Sequence, residues 1–436
     1  MRSSRVAVLL FAFALAGGGV VACASILGID DRSPYSPDAS VEASGAEPGD
    51  AGPEADVVFA DARQEGGTAP EADGGDGGGE AADAPPSDSA AESTSDAPGD
   101  AAADVVTADA PSCPDPCLLA SGLNHPFLMT ADSNNVYWTE FGDTLGSGNG
   151  SVKSCPASGC GAGGPTVLAQ GLTNPRGVAV DAQYVYFATA TYGGVTGAIW
   201  KCAVGGCSGI PVRLAAASIP FGVAVDSTSV YWVDNDNGTV NKVDKTDGGV
   251  TVLYDGGAYD DAGSTILEPG ECIVDGPFLY LMDYSEDALR VSVTDGTITY
   301  LGSGFNQSVY GNYFGMTTDS ANLYFGGNGI VLRSPKAAPD AGGTLVNGVA
   351  VPDGLQYDPA SGMIYWSNYG TGSANDGTVG KFAPDGGGVQ TLQASLVTPE
   401  SVAVGDRYVY WISNGTLDLV NGGTVSSTGA LWRTTK

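Results

Sequence analysis

The chain has 436 residues and a formal net charge of −33, from 50 acidic side chains against 17 Lys and Arg. That balance excludes nucleic acid and anionic lipid as partners of its surface, because both would be repelled. Basic peptides and divalent cations stay compatible with it, and 66 glycines point to a fold with many tight turns.

Residues 1–22 read as an export signal. Arg2 and Arg5 form a basic start, and Val6 to Leu15 an apolar stretch too short to span a bilayer comfortably. Val20-Val21-Ala22-Cys23 resembles a lipobox, which implies cleavage before Cys23 and lipid on its thiol. The other reading is an ordinary secretory signal with a chance Cys. Several acyl chains on one Cys would anchor the chain stably in a membrane. Ala24, rather than Asp, follows the Cys. By resemblance to the sorting rule of enteric bacteria, this implies the outer membrane of a Gram-negative cell.

Residues 23–112 are of different material, as in Pro70-Glu71-Ala72-Asp73-Gly74-Gly75-Asp76. Few of these side chains could bury enough apolar surface to offset the entropy of ordering. The expectation is a disordered acidic tether reaching on the order of 50 Å. An acidic arm that binds cations or proteins is the sharper alternative.

Residues 113–436 carry a repeat. Tyr137-Trp138, Tyr186-Phe187, Tyr231-Trp232, Tyr280-Leu281, Tyr324-Phe325, Tyr365-Trp366 and Tyr410-Trp411 recur at a period of about 45 residues, that of a β-propeller blade. Asp132, Asp181, Asp226, Asp275 and Asp319 each precede the Tyr by five residues. Pro126, Pro175, Pro220 and Pro269 precede that Asp by six, with Pro352 and Pro399 in the last two repeats. Period-2 alternation predicts four strands per repeat, as in 177–180, 184–187, 198–201 and 212–215. No amphipathic helix is expected. The last repeat lacks a fourth strand, and residues 117–121 have no partner before them. The predicted solution is closure of a seven-bladed ring by that opening strand, which pairs edges an open ring would expose. Six blades plus an irregular segment is the alternative.

The Tyr-aromatic pairs and the Pro-to-Asp spacing resemble the Tyr-Trp-Thr-Asp, NHL and TolB-like propeller families over residues 113–436. The resemblance implies an all-β propeller. It leaves function open, since such propellers include scaffolds, receptors and enzymes. Tyr313 stands where Pro is expected and Gly405 where Asp is expected.

The remaining cysteines form local pairs: Cys113 with Cys117, Cys155 with Cys160, and Cys202 with Cys207. Zinc could use these spacings. The chain has one His and is expected to be exported, so disulfides are the reading adopted. Cys272 is expected to be a buried, inert thiol.

In a propeller, the connections from fourth to first strand and from second to third strand share one face, around the mouth of the central channel. The candidate ligand-binding residues there are Phe127, Arg176, Phe221, Phe314, Asp353 and Glu400. Aromatic, acidic and amide groups together could grip a sugar, a basic peptide or a cation. Glu271, Asn312 and Asp353 form an alternative set for a divalent metal, by likeness to lactonase-type propellers. His125, the sole histidine, would need an orienting partner to act as a base. Asp234-Asn235-Asp236-Asn237-Gly238 starts like a calcium loop but lacks the later Glu, so a hairpin turn explains it better.

The leading expectation is an outer-membrane lipoprotein that presents a propeller, without cofactor, as a binding or scaffolding module for protein or polysaccharide. The alternative is a metal-dependent lyase or lactonase-like hydrolase with its site at the channel mouth.

Overall fold

The computed structural model describes residues 113–142, 148–190, 197–235, 237–246, 248–256, 269–283, 288–302, 315–327, 329–338, 343–347, 352–370, 375–414 and 428–436. Cys23, the acidic segment, Asn312 and Phe314 lie outside these residues.

The described residues form seven four-stranded antiparallel sheets, the blades of a propeller. Blades 1 to 6 span 126–172, 175–217, 220–255, 269–302, 316–347 and 352–396, with strands in sequence order from the inner to the outer. Blade 7 takes three strands from 399–435, and its outer strand is Cys117–Leu123. That strand pairs with Gly429–Thr435, with Cys117 opposite Arg433 and Leu123 opposite Gly429. The predicted seven-bladed closure is therefore present, and no described residue is helical.

The aromatic doublet has a simple cause. Successive strand residues point to opposite faces of a sheet, so each doublet feeds two inter-blade cores. Tyr137 packs with Val178, Val185 and Phe187 of blade 2, while Trp138 packs with Tyr410 and Ile412 of blade 7. Tyr231 joins Leu279 and Leu281 of blade 4, and Trp232 joins Tyr186 of blade 2. These rings are all but fully buried.

The Asp-to-Tyr spacing is structural as well. Asp132 Oδ1 accepts the N–H groups of Asn134 and Asn135, both at 2.7 Å, turning the chain into the second strand. Its Oδ2 accepts the Tyr137 hydroxyl at 2.8 Å. Asp181, Asp226 and Asp319 repeat the arrangement with Tyr186, Tyr231 and Tyr324.

At this turn end, adjacent blades are tied by cations. Lys245 of blade 3 pairs with Asp181 of blade 2 at 2.7 Å, and Lys436 of blade 7 with Asp358 of blade 6 at 2.6 Å. Lys336 of blade 5 pairs with Asp275 of blade 4. Each Lys directly follows a third strand, and each Asp ends the inner strand of the blade before, or directly follows it.

All three expected disulfides are formed: Cys113–Cys117, Cys155–Cys160 and Cys202–Cys207. The latter two close third-to-fourth-strand turns at the same end. The chain enters the ring at that end too, where Thr435 Oγ1 donates to Asp115 Oδ2 at 2.7 Å. Cys272 is a buried free thiol. Burial, then the Glu271 charge, pushes its pKa up, so it holds its proton.

Candidate functional site

The seven inner strands are Pro126–Ala131, Pro175–Val180, Pro220–Val225, Pro269–Asp275, Met316–Thr318, Pro352–Asp358 and Pro399–Val404. They surround a central cavity of about 350 Å³. Each begins at the end of the ring opposite the turn end.

Backbone hydrogen bonds show that the two expected sets of connections meet at this mouth. Phe141 N–H donates to His125 O at 3.0 Å, Ala190 N–H to Asn174 O at 3.2 Å, and Asn235 N–H to Ile219 O at 3.0 Å. His125, Asn174 and Thr398 immediately precede prolines and have φ of 56°, 41° and 36°. Such left-handed backbone is uncommon for non-glycine residues and costs about 1–3 kcal/mol at each position. His125 is buried, and burial lowers its pKa, which keeps the ring neutral.

The mouth has two unlike halves. On the side of blades 1 to 3, Phe127 and Phe221 are 2% and 1% exposed. Phe127 lies 4.5 Å from Phe141 and 5.8 Å, edge-on, from Phe221. The Arg176 guanidinium sits 4.6 Å over the Phe221 ring and is itself buried. These three candidates are thus brought together, but as packing across the mouth rather than as a surface open to a ligand. Phe314 cannot be placed with them, since it lies outside the described residues.

Two further mouth acids have internal work. Glu140 accepts the Trp138 indole N–H at 2.8 Å and Asn124 N–H at 3.0 Å, and pairs with Lys153 at 2.7 Å. Asp234 accepts Ser218 N–H at 2.9 Å and the Trp232 indole N–H at 3.2 Å. Both hold connections in place, which agrees with the hairpin reading of 234–238.

On the other side, blades 4, 6 and 7 supply Glu271, Asp353 and Glu400. Glu271 lines the cavity. It occupies the inner-strand position held by Gly177, Gly315 and Gly354 in other blades, where the next inner strand approaches within 2.4–2.8 Å of a hypothetical Cβ. Burial raises its pKa to about 7, against a hydrogen bond from the Met316 backbone. Burial raises that of Glu400 to about 8, although Asn414 Nδ2 donates to it. Asp353 is pushed well up by burial, then by the charges of Glu400 and Glu271. All three residues keep some exposure; the Asp353 carboxyl accepts a hydrogen bond from the Tyr369 backbone, while its Oδ2 is withdrawn from solvent and has no hydrogen-bond partner. Asp353 thus feels the charge of Glu400, a second candidate ligand residue, and of Glu271 from the alternative metal set. Sequence reasoning did not join all three, although a Glu where other blades carry Gly was visible. Among the described residues, no three His, Cys, Asp or Glu side chains are grouped closely enough to hold a metal ion. Asn312 of the metal set is outside them.

Acids stand at both ends of the ring, Asp132, Asp181, Asp226, Asp275, Asp319 and Asp358 among them at the turn end, but the cations of the connections lie at one end only. Among the described residues, the connections at the mouth hold Asp376 and no Lys or Arg. Lys245, Lys336, Arg407 and Lys436 lie at the turn end.

No protein-family model matches the chain, and no curated protein matches it. Among solved structures, the WD40 β-propeller domain of Doa1 aligns over 72% of this chain and 96% of its own, with 12% identity and a TM-score of 0.50. A structural-genomics protein of unknown function from Bacteroides thetaiotaomicron aligns over 73% and 72%, with 15% identity and a TM-score of 0.42. A chain of a nidogen/laminin complex aligns over 53% and 86%, with 18% identity and a TM-score of 0.40. The first supports the propeller fold alone, and the other two add no argument.

Proposed function

We propose that this chain is a cell-envelope lipoprotein, anchored through lipid on Cys23 in an outer membrane, that presents its propeller as a binding module for a protein ligand with a basic surface. The carrying observation is that Glu271, Asp353 and Glu400 stand near the mouth ends of their inner strands, whereas the lysines of the described connections lie at the opposite end, paired there with aspartates. Complementary charge steers a basic partner to that mouth and repels nucleic acid and anionic lipid. The position of Cys113 is compatible with such display, because the chain enters the ring at the turn end and not at the mouth. A propeller is compatible with such a module, and its many loops vary without disturbing the blades.

The test has two arms. Cells expressing the full chain are labelled with palmitate, and label is expected in the wild type and absent from Cys23→Ser. Equal labelling would remove the lipid anchor. The purified chain is then passed over immobilised basic protein, neutral glucan and acidic protein at 0.15 M salt. Retention on the basic protein alone is expected, whereas retention on glucan alone would move the ligand class to polysaccharide.

A further inference from the structure

The outer strand of blade 7 is held differently from the other six. In blades 1 to 6 the outer strand follows the third strand in sequence, so a turn keeps the two together. Cys117–Leu123 has no such turn. It joins blade 1 at the mouth, through Asn124 and His125, and at the turn end it runs out of the ring. Its ladder with Gly429–Thr435 is interrupted between Leu118 and Ala120 and again between Ser121 and Leu123. As an edge strand it pairs on one side only, and Leu118, Ser121 and Gly122 are exposed. An element held in this way opens locally, from its untied end, without unfolding its neighbours.

That untied end carries a clasp. Cys113 and Cys117 close a loop around Pro114, Asp115 and Pro116. From this loop Asp115 Oδ2 accepts the Thr435 hydroxyl at 2.7 Å and the Thr435 N–H at 3.3 Å. The disulfide ties the loop to the first residue of the strand, so the Asp115 contacts and the pairing of Cys117 with Arg433 support each other. The three disulfides differ in access. Cys155 and Cys202 are 0% and 1% exposed, and their partners Cys160 and Cys207 pack against inter-blade cores. Cys113 is exposed. Exchange requires a thiolate to reach a sulfur, so the accessible bond opens first.

We propose that the Cys113–Cys117 bond is a redox-sensitive clasp on the seam of the ring, whose opening by an external dithiol frees the turn-end half of the closing strand. One thiolate of the dithiol attacks Cys113 Sγ. The S–S bond breaks, and its electron pair goes to Cys117 Sγ, which takes up a proton. The second thiolate of the dithiol then displaces Cys113 Sγ, which is protonated in turn, and the dithiol departs as a disulfide. Asp115 is no longer held at Thr435, and the strand frays from Cys117 toward Ala120. Leu123, buried at the mouth end, stays in place.

The test uses the full chain with Cys23→Ser, which leaves buried Cys272 as its unpaired thiol. Native protein is titrated with dithiothreitol, free thiols are alkylated and mapped by mass spectrometry, and backbone hydrogen exchange is followed peptide by peptide. Cys113 and Cys117 are expected to be alkylated at dithiothreitol concentrations that leave the other two bonds closed. Exchange in 117–120 and 431–435 is then expected to rise by about tenfold or more, with the other blades unchanged. Cys113→Ser/Cys117→Ser should show the faster exchange without reductant and no further change with it. Earlier alkylation of Cys155 or Cys202 would overturn the proposed order of access, and with it the clasp. Opening of Cys113–Cys117 with exchange unchanged would leave a surface bond of no consequence to the seam. A rise across all blades at once would overturn local opening.

Discussion

Pro126 Cδ lies 2.6 Å from the place a Cβ on Gly429 would occupy, across the junction of the last blade with the first. The same fit joins Gly150 to Pro175, Gly197 to Pro220 and Gly377 to Pro399. Each Pro opens an inner strand, where a missing N–H is tolerated, and its ring covers the glycine that opens the third strand of the preceding blade. The proline period is thus an inter-blade contact repeated around the ring.

Substitution at that contact should be costly. A Cβ in Gly197→Ala would meet Thr189 O at 2.4 Å and Pro220 Cδ at 2.7 Å, neither of which can swing away. Overpacking of this kind costs about 1–3 kcal/mol. Calorimetric melting is expected to fall, and an unchanged melting temperature would mean that the blades do not sit this close.

The cation ties predict coupled losses. Burial pushes the Asp181 carboxyl up, but hydrogen bonds from Lys245, Gln183, Tyr184 and Tyr186 outweigh it and hold the pKa at about 2. Lys245 also lies 5.2 Å over the Tyr186 ring. Lys245→Met and Asp181→Asn should each cost about 1–2 kcal/mol, since a charged hydrogen bond here is partly open to solvent. In a double-mutant cycle the two losses should overlap rather than add.

The mouth aromatics are expected to behave as core. Phe127→Ala should destabilise by about 3–5 kcal/mol, and Phe127→Leu by much less. Equal and small losses for both would show that the ring is not packed between Phe141 and Phe221.

Stability should fall as pH rises from about 5 to 8. Glu271 and Glu400 have ordinary values of 4.5 in the unfolded chain and about 7 and 8 in the fold. A raised carboxyl pKa means that the native state holds more protons between those values. Its contribution is therefore complete below pH 4.5 and lost through pH 7 to 8. Asp181 acts in the opposite sense, contributing above its ordinary 3.8 and failing as pH drops toward 2. Melting scans should show a maximum near pH 4.5 to 5.5. In Asp353→Asn/Glu400→Gln the decline toward pH 8 should be shallower, and a slope equal to that of the wild type would place those acids in solvent.

Removing the Cys155–Cys160 bond by a double Ser change should cost about 2 kcal/mol, since it closes a loop of only a few residues. In a Cys23→Ser chain, native protein should leave Cys272 unreacted with a thiol reagent, and the denatured chain should react once per molecule without reductant. Reaction of the native chain would mean that this thiol is open to solvent.

The fold was legible because each repeat writes the same contacts. Tyr137 and Trp138 serve two inter-blade cores, and Asp132 fixes both a turn and the Tyr hydroxyl, so sequence spacing maps onto geometry. The mouth was legible only in outline. Phe127, Arg176 and Phe221 lie in the right connections, but sequence position cannot tell a ring aimed at solvent from one aimed at a neighbour two blades away. Burial is set by partners such as Phe141. Likewise, Glu271, Asp353 and Glu400 come from separate blades, and their mutual charge arises only when the ring closes.

That closure also decides how the molecule would carry a mechanical load. Tension applied at residue 113 enters through the outer strand Cys117–Leu123, which runs from the turn end toward the mouth. A pull directed away from the turn end acts along this strand. It loads its hydrogen bonds to Gly429–Thr435 together, in shear, rather than peeling them one at a time. The strand that seals the ring is therefore also the one through which a pull on the chain at residue 113 reaches the blades.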